Sequence, residues 1–136
     1  MNLIVLTFGG KTFARKLIRP FGEVKLTDIQ NEIRAVEKLC KSGTHKNIVA
    51  VLNHGKLPPW FYFLDMELCD LNLESYINRR WTPALQKRIQ YFTSELPSSM
   101  RTAQLWHIME DMTCGVAFIH QHKEVHRDLK PRNGTN

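Results

Sequence analysis

The 136-residue chain contains only three cysteines, Cys40, Cys69 and Cys114, far apart and with no paired spacing. So sparse and odd a set excludes a disulfide framework and fits reduced thiols in an intracellular, cytoplasmic protein. Long apolar runs are missing too. Nothing approaches the roughly eighteen consecutive apolar residues of a membrane span, so no membrane partner is expected. Met1 to Phe8 is apolar but short, lacks a leading Lys or Arg, and shows no small-residue cleavage pattern. That argues against a secretory signal. No internal repeat and no low-complexity stretch is present. The formal charge is +6, with basic residues spread along the chain and local doublets at Arg79-Arg80 and Lys87-Arg88. Without a regular interleaving of aromatics these read as solvated surface, and no nucleic-acid partner is expected.

What is present describes a globular chain. Apolar residues make up 43% and charged residues 24%, enough to bury one core and too apolar for disorder. Lys11 to Ile18 reads as a strand, opened by the turn Gly9-Gly10 and stopped at Pro20. A helix is expected from about Asp28 to Lys41, with Thr27 and Gln30 as a capping box and an apolar stripe of Ile29, Ile33, Val36 and Cys40. Asn47 to Leu52 and Trp60 to Leu68 read as an antiparallel pair joined through His54-Gly55-Lys56-Leu57-Pro58-Pro59. Leu71 to Ile77 is a short helix, and Pro83 and Pro97-Ser98-Ser99 bracket a further helix of undefined role. A second long helix runs from about Thr102 to His120, with Leu105, Ile108, Met109, Met112, Val116 and Ile119 as its stripe. Strands around one helix, then mainly helices: the order predicts an α+β chain in two lobes.

The segment after that helix carries the chemistry. It reads His126-Arg127-Asp128-Leu129-Lys130-Pro131-Arg132-Asn133. Five chemically committed residues at fixed spacing arise by chance on the order of once in a million starts. The segment resembles the catalytic loop of eukaryotic protein kinases, and its Leu-Lys-Pro wording resembles the serine/threonine branch. The resemblance implies a two-lobe kinase fold and phosphoryl transfer from ATP, with Mg2+, to a hydroxyl of a protein substrate. Asp128 would orient the hydroxyl and accept its proton. Lys130 would steady the transferring phosphate, and Asn133 would bind metal. His126 would support the loop, and Arg127 would meet an activation-loop phosphate through its guanidinium. The histidines His120, His122 and His126 lack the companion ligands of a familiar metal site.

Upstream, Gly10-Lys11-Thr12-Phe13-Ala14-Arg15-Lys16 resembles the third strand of the small lobe, which would place Lys16 on the α- and β-phosphates. At about 100° per residue, Glu32 falls between Val36 and Leu39, inside the apolar sector of its helix. A carboxylate turned inward needs a cation, and the resemblance implies that Lys16 is that partner; the alternative is an edge residue whose carboxylate snorkels to water. His45-Lys46-Asn47-Ile48-Val49 is similar to the family's segment after that helix. Leu64-Asp65-Met66-Glu67-Leu68-Cys69 resembles the strand entering the hinge, with Met66 beside the adenine and the backbone of Glu67 and Cys69 along its edge. The stretch Glu67 to Leu73 resembles kinases of filamentous fungi.

Other family features are missing from the sequence. No Gly-x-Gly-x-x-Gly loop precedes Lys16; Met1 to Thr7 stands where the second strand belongs. Only Gly134-Thr135-Asn136 follows Asn133, with no Asp-Phe-Gly. Residues 1–136 are therefore expected to form a partial kinase domain truncated at both ends, with about 1–68 as the small lobe and 69–136 as the start of the large lobe. Two other readings compete: a non-catalytic kinase-like fragment that binds or regulates a partner, and a P-loop hydrolase suggested by Gly10-Lys11-Thr12. The second needs a glycine where Val5 stands, and a helix rather than a strand after the lysine.

Overall fold

The computed structural model describes residues 2–20, 25–41, 43–87 and 98–134. The chain divides into two compact units, Met1–Leu68 and Cys69–Asn136.

The first unit is a four-stranded antiparallel sheet with one helix. Its strands are β1 (Asn2–Phe8), β2 (Lys11–Ile18), β3 (Val51–Leu57) and β4 (Phe61–Glu67), in the order β1-β2-β4-β3. β1 and β2 form a hairpin closed at the Phe8–Lys11 pair. Its two loop residues, Gly9 and Gly10, have φ of 57° and 76°, a conformation that suits glycine and matches the strand twist. β2 occupies the residues expected for it. The other pair is shifted: β3 starts at Val51 rather than Asn47 and continues to Leu57, so the link is only 58–60. A turn precedes β3 instead, in which the Asn47 amide donates to His45 Nδ1 at 3.2 Å and the Ile48 amide to the His45 carbonyl at 3.1 Å.

Helix α1 (Leu26–Leu39) begins two residues earlier than its apolar pattern suggests. The expected Thr27–Gln30 box is replaced by Asp28, whose carboxylate accepts from the Lys25 backbone amide at 2.9 Å. An acid in the first turn also complements the helix dipole. Its apolar stripe closes the core. Ile29 and Leu64 are 1% and 2% exposed, and Ile18 joins them, flanked by Ile33, Val36, Tyr62 and Met66. Burying one such side chain contributes about 2 kcal/mol.

The second unit is helical: α2 (Leu73–Ile77), a short helical stretch at residues 83–87, α3 (Ser98–Gln121) and a 3-10 turn, η1 (Pro131–Asn133). Asn72 caps α2 by accepting from the Ser75 amide at 2.8 Å. The expected helix between Pro83 and Pro97 lies partly outside the described residues. α3 extends at both ends of its expected span. It stops because Lys123 turns left-handed at φ 59°. The Lys123 amide then donates to the His120 carbonyl at 2.9 Å, and the Glu124 amide to Ile119 at 3.1 Å. This is a Schellman stop, and it directs the chain into the segment 125–134. No helix among the described residues is long and apolar enough to cross a membrane.

Candidate functional site

Two groups of candidate side chains form, one in each unit. In the first, Lys16 sits on β2 between Ala14 and Ile18, both buried, on the sheet face that α1 covers. Its Nζ donates to Glu32 Oε1 on α1. The inward sector that the helical spacing assigns to Glu32 is thus where a cation waits, and both side chains are partly screened from water. The pair ties strand to helix across sixteen residues of sequence.

The opposite face of β2 holds a pair that the sequence reading missed. Arg15 lies across from Asp65 in the β2–β4 register. Its guanidinium donates to both carboxylate oxygens, Nε to Oδ1 at 2.6 Å and a terminal nitrogen to Oδ2 at 2.8 Å. Asp65 is buried, and the guanidinium lies 4.4 Å from the Phe63 ring centre. This geometry holds Arg15 above its ordinary pKa, chiefly through the hydrogen bond to Asp65. Nothing local signals it, because the partners are fifty residues apart and meet only once strand register is known.

At the end of β4 the Glu67 amide donates to the Ala50 carbonyl at 3.0 Å, and the Glu67 carboxylate accepts from the Ala50 amide at 2.7 Å. Glu67 is thus fixed by β3's approach. Cys69 follows outside the strand, half-buried and with a free thiol. A cavity of about 240 Å³ opens between the end of α1 and β3, lined by Val36, Glu37, Cys40 and His54 among others. Lys16 and Glu32 do not border it. Burial raises the pKa of its Cys40 thiol, which disfavours a thiolate there.

In the second unit the segment after α3 folds on itself. Lys130 Nζ lies 2.8 Å from both oxygens of the Asp128 carboxylate. Asn133 Nδ2 donates to Asp128 Oδ2 and to the Asp128 carbonyl, each at 2.9 Å. The Asp128 amide donates to His126 Nδ1 at 3.3 Å, which fixes the histidine's acceptor nitrogen inward on the loop. Arg127 takes a left-handed φ of 64°, so the backbone reverses just before the aspartate. Pro131 opens η1, where its missing amide costs no helical bond. η1 brings Asn133 back to Asp128, and the turn is anchored on α2: the Leu73 amide donates to the Gly134 carbonyl at 2.7 Å, and Arg132 Nε approaches Glu74 at 3.4 Å. Asp128 is exposed, and its carboxyl is held below the ordinary aspartate value, first by the Lys130 hydrogen bond and then by Asn133. It is a carboxylate at neutral pH, oriented by two donors and open to solvent.

A sheet-and-helix unit with a strand lysine on a helix glutamate, followed by a helical unit with an Asp–Lys–Asn loop, defines a protein kinase fold: the small lobe and the first, mainly helical part of the large one. The protein kinase domain family matches residues 3–134, and the chain belongs to that family. Three similar proteins are named as both protein kinases and endoribonucleases. The serine/threonine-protein kinase/endoribonuclease IRE1 of Oryza sativa subsp. japonica is 27% identical over 133 residues, covering 93% of this chain and 14% of that protein. The ire-1 protein of Caenorhabditis elegans is 31% identical over 100 residues, 74% of this chain and 9% of that protein. IRE1a of Arabidopsis thaliana is 26% identical over 148 residues, 92% of this chain and 17% of that protein. The chain thus spans less than a fifth of the length of these curated relatives.

Proposed function

We propose that this chain carries the phosphate-binding lysine and the catalytic loop of a protein serine/threonine kinase acting on a protein hydroxyl. One observation carries the reading: Asp128, Lys130 and Asn133 converge into a single hydrogen-bonded cluster. Of the two carboxylate oxygens, Oδ2 already accepts from Asn133 as well as Lys130, so Oδ1 has the greater remaining capacity. An incoming hydroxyl donates to Oδ1 and is aimed by it. Because its pKa is lowered, Asp128 is a weak base, suited to orienting the nucleophile and receiving its proton late. Lys130 shifts its ammonium from the carboxylate toward the phosphoryl group as charge develops there.

Mg-ATP, when bound, supplies the phosphoryl group and a metal offset to its charge. The residues present fit it. Asn133 turns its amide nitrogen to Asp128, which leaves Oδ1 as a hard oxygen of the kind Mg2+ accepts, and this ion takes few protein ligands beside phosphate oxygens. Lys16 would hold phosphate oxygens, with Glu32 keeping its ammonium in place. At the adenine edge the Glu67 amide is already given to Ala50, so Glu67 would offer its carbonyl and Cys69 its backbone. All matched residues fall within the kinase family, so the endoribonuclease half of the relatives' names is not carried over. Three free cysteines are in keeping with a cytoplasmic setting.

Calorimetric titration of Mg-ATP into the protein expressed from its own gene tests the reading. Lys16→Met is expected to weaken nucleotide binding by roughly tenfold or more, the loss of a charged hydrogen bond. Equal affinity in both proteins removes Lys16 from the site.

A further inference from the structure

The arginine doublet at 79–80 plays no part in the cluster around Asp128. It leads to Thr82-Pro83, the one place in the sequence where a serine or threonine precedes a proline. Arg79, Arg80 and Thr82 are all exposed, whereas Trp81 between them is half-buried, its ring centre 6.3 Å from that of Tyr76 on α2. The backbone is pinned at the same point: the Arg79 amide donates to the Tyr76 carbonyl at 3.2 Å and the Arg80 amide to Ser75 at 2.9 Å. An anchored tryptophan thus presents two guanidinium groups and a hydroxyl to solvent on a short irregular segment. Thr82 Oγ1 accepts a long bond, 3.3 Å, from the Leu85 amide. Accepting leaves its own proton available.

We infer that Thr82 is a phosphorylation site for a proline-directed protein kinase with an acidic subsite for the arginines two and three residues ahead. The chemistry selects that class of enzyme. Proline after the acceptor offers no amide donor, so the enzyme must hold that position by an apolar pocket rather than by a hydrogen bond. The two guanidinium groups suit carboxylates in its groove. In the transfer, Thr82 Oγ1 bonds to the γ-phosphorus of that enzyme's ATP, and the bond from phosphorus to the oxygen of the leaving ADP breaks. The hydroxyl proton passes to that enzyme's base. The product places a group of about −2 charge beside Arg79 and Arg80, with acceptor oxygens for the first turn of residues 83–87.

The purified protein is incubated with Mg-ATP and a proline-directed kinase. In parallel it is incubated with a kinase that needs only basic residues, and with ATP alone, and phosphopeptides are mapped by mass spectrometry. The expected result is phosphate on Thr82 in the first arm, retained in Thr82→Ser and lost in Thr82→Val and Pro83→Ala. Loss of fold exposes the segment further, so misfolding does not produce a negative. An unmodified Thr82 in the first arm overturns the inference. So does equal modification by the basic-directed enzyme or by ATP alone, or a Pro83→Ala variant modified as fast as the parent.

Discussion

Helix α1 turns Ile29, Ile33 and Val36 onto the sheet and keeps Arg34 and Lys38 in water, whereas α3 leaves Leu105, Trp106, Met109 and Met112 exposed. Only the last turns of α3 go inside, at Gly115 and Ile119. The contrast lies in pattern rather than amount. α1 has one narrow apolar stripe, and a single sheet face satisfies it. α3 carries adjacent apolar residues, Leu105 and Trp106, which no single face can cover, as in helices enclosed on several sides. The closed apolar core of the described residues therefore lies in the sheet unit, while the candidate site of the second unit rests on a short loop held by local hydrogen bonds.

Truncations divide the two regions most sharply. Leu64→Ala removes a side chain from the closed core and is expected to cost about 2–5 kcal/mol in chemical denaturation. Met109→Ala on exposed α3 should stay within about 0.5 kcal/mol. Equal losses would mean that α3 is as firmly packed as the sheet. A smaller effect separates the loop from the core. In Lys130→Ala the first cause of Asp128's lowered pKa is gone, so a carboxyl titration followed by NMR should show it move up toward the ordinary aspartate value. Because the folded pKa is depressed, the ionic link steadies the loop above the ordinary value. That contribution is lost as pH falls through the lowered one. No movement would mean that Asn133 alone sets the carboxylate.

The loop was legible in advance through its resemblance to a kinase catalytic loop, and its parts lie within six residues, so a local turn suffices to bring Lys130 and Asn133 back to Asp128. The Lys16–Glu32 pair was readable in part: helical periodicity shows an acid facing inward, while the strand offers Lys11, Arg15 and Lys16 as cations, and the kinase resemblance selects Lys16 among them. Element ends were less so. Asp28 reaches back to Lys25, a choice that propensity does not distinguish from Thr27 with Gln30, and the His45 turn delays β3 by four residues. Arg15–Asp65 was invisible because it depends on which strands become neighbours, and β4 pairs with β2 only after α1 and β3 intervene. β1 went unassigned for a similar reason: its strand character is settled by a two-glycine turn that locks it to β2.

The central claim is that Asp128 aims a hydroxyl for phosphoryl transfer. It is tested most directly by the rate at which the protein expressed from its own gene phosphorylates a serine/threonine acceptor protein, beside its Asp128→Ala variant. In Asp128→Ala the rate is expected to fall about a hundredfold or more, with Mg-ATP affinity nearly unchanged. An unaltered rate in the variant would contradict the claim.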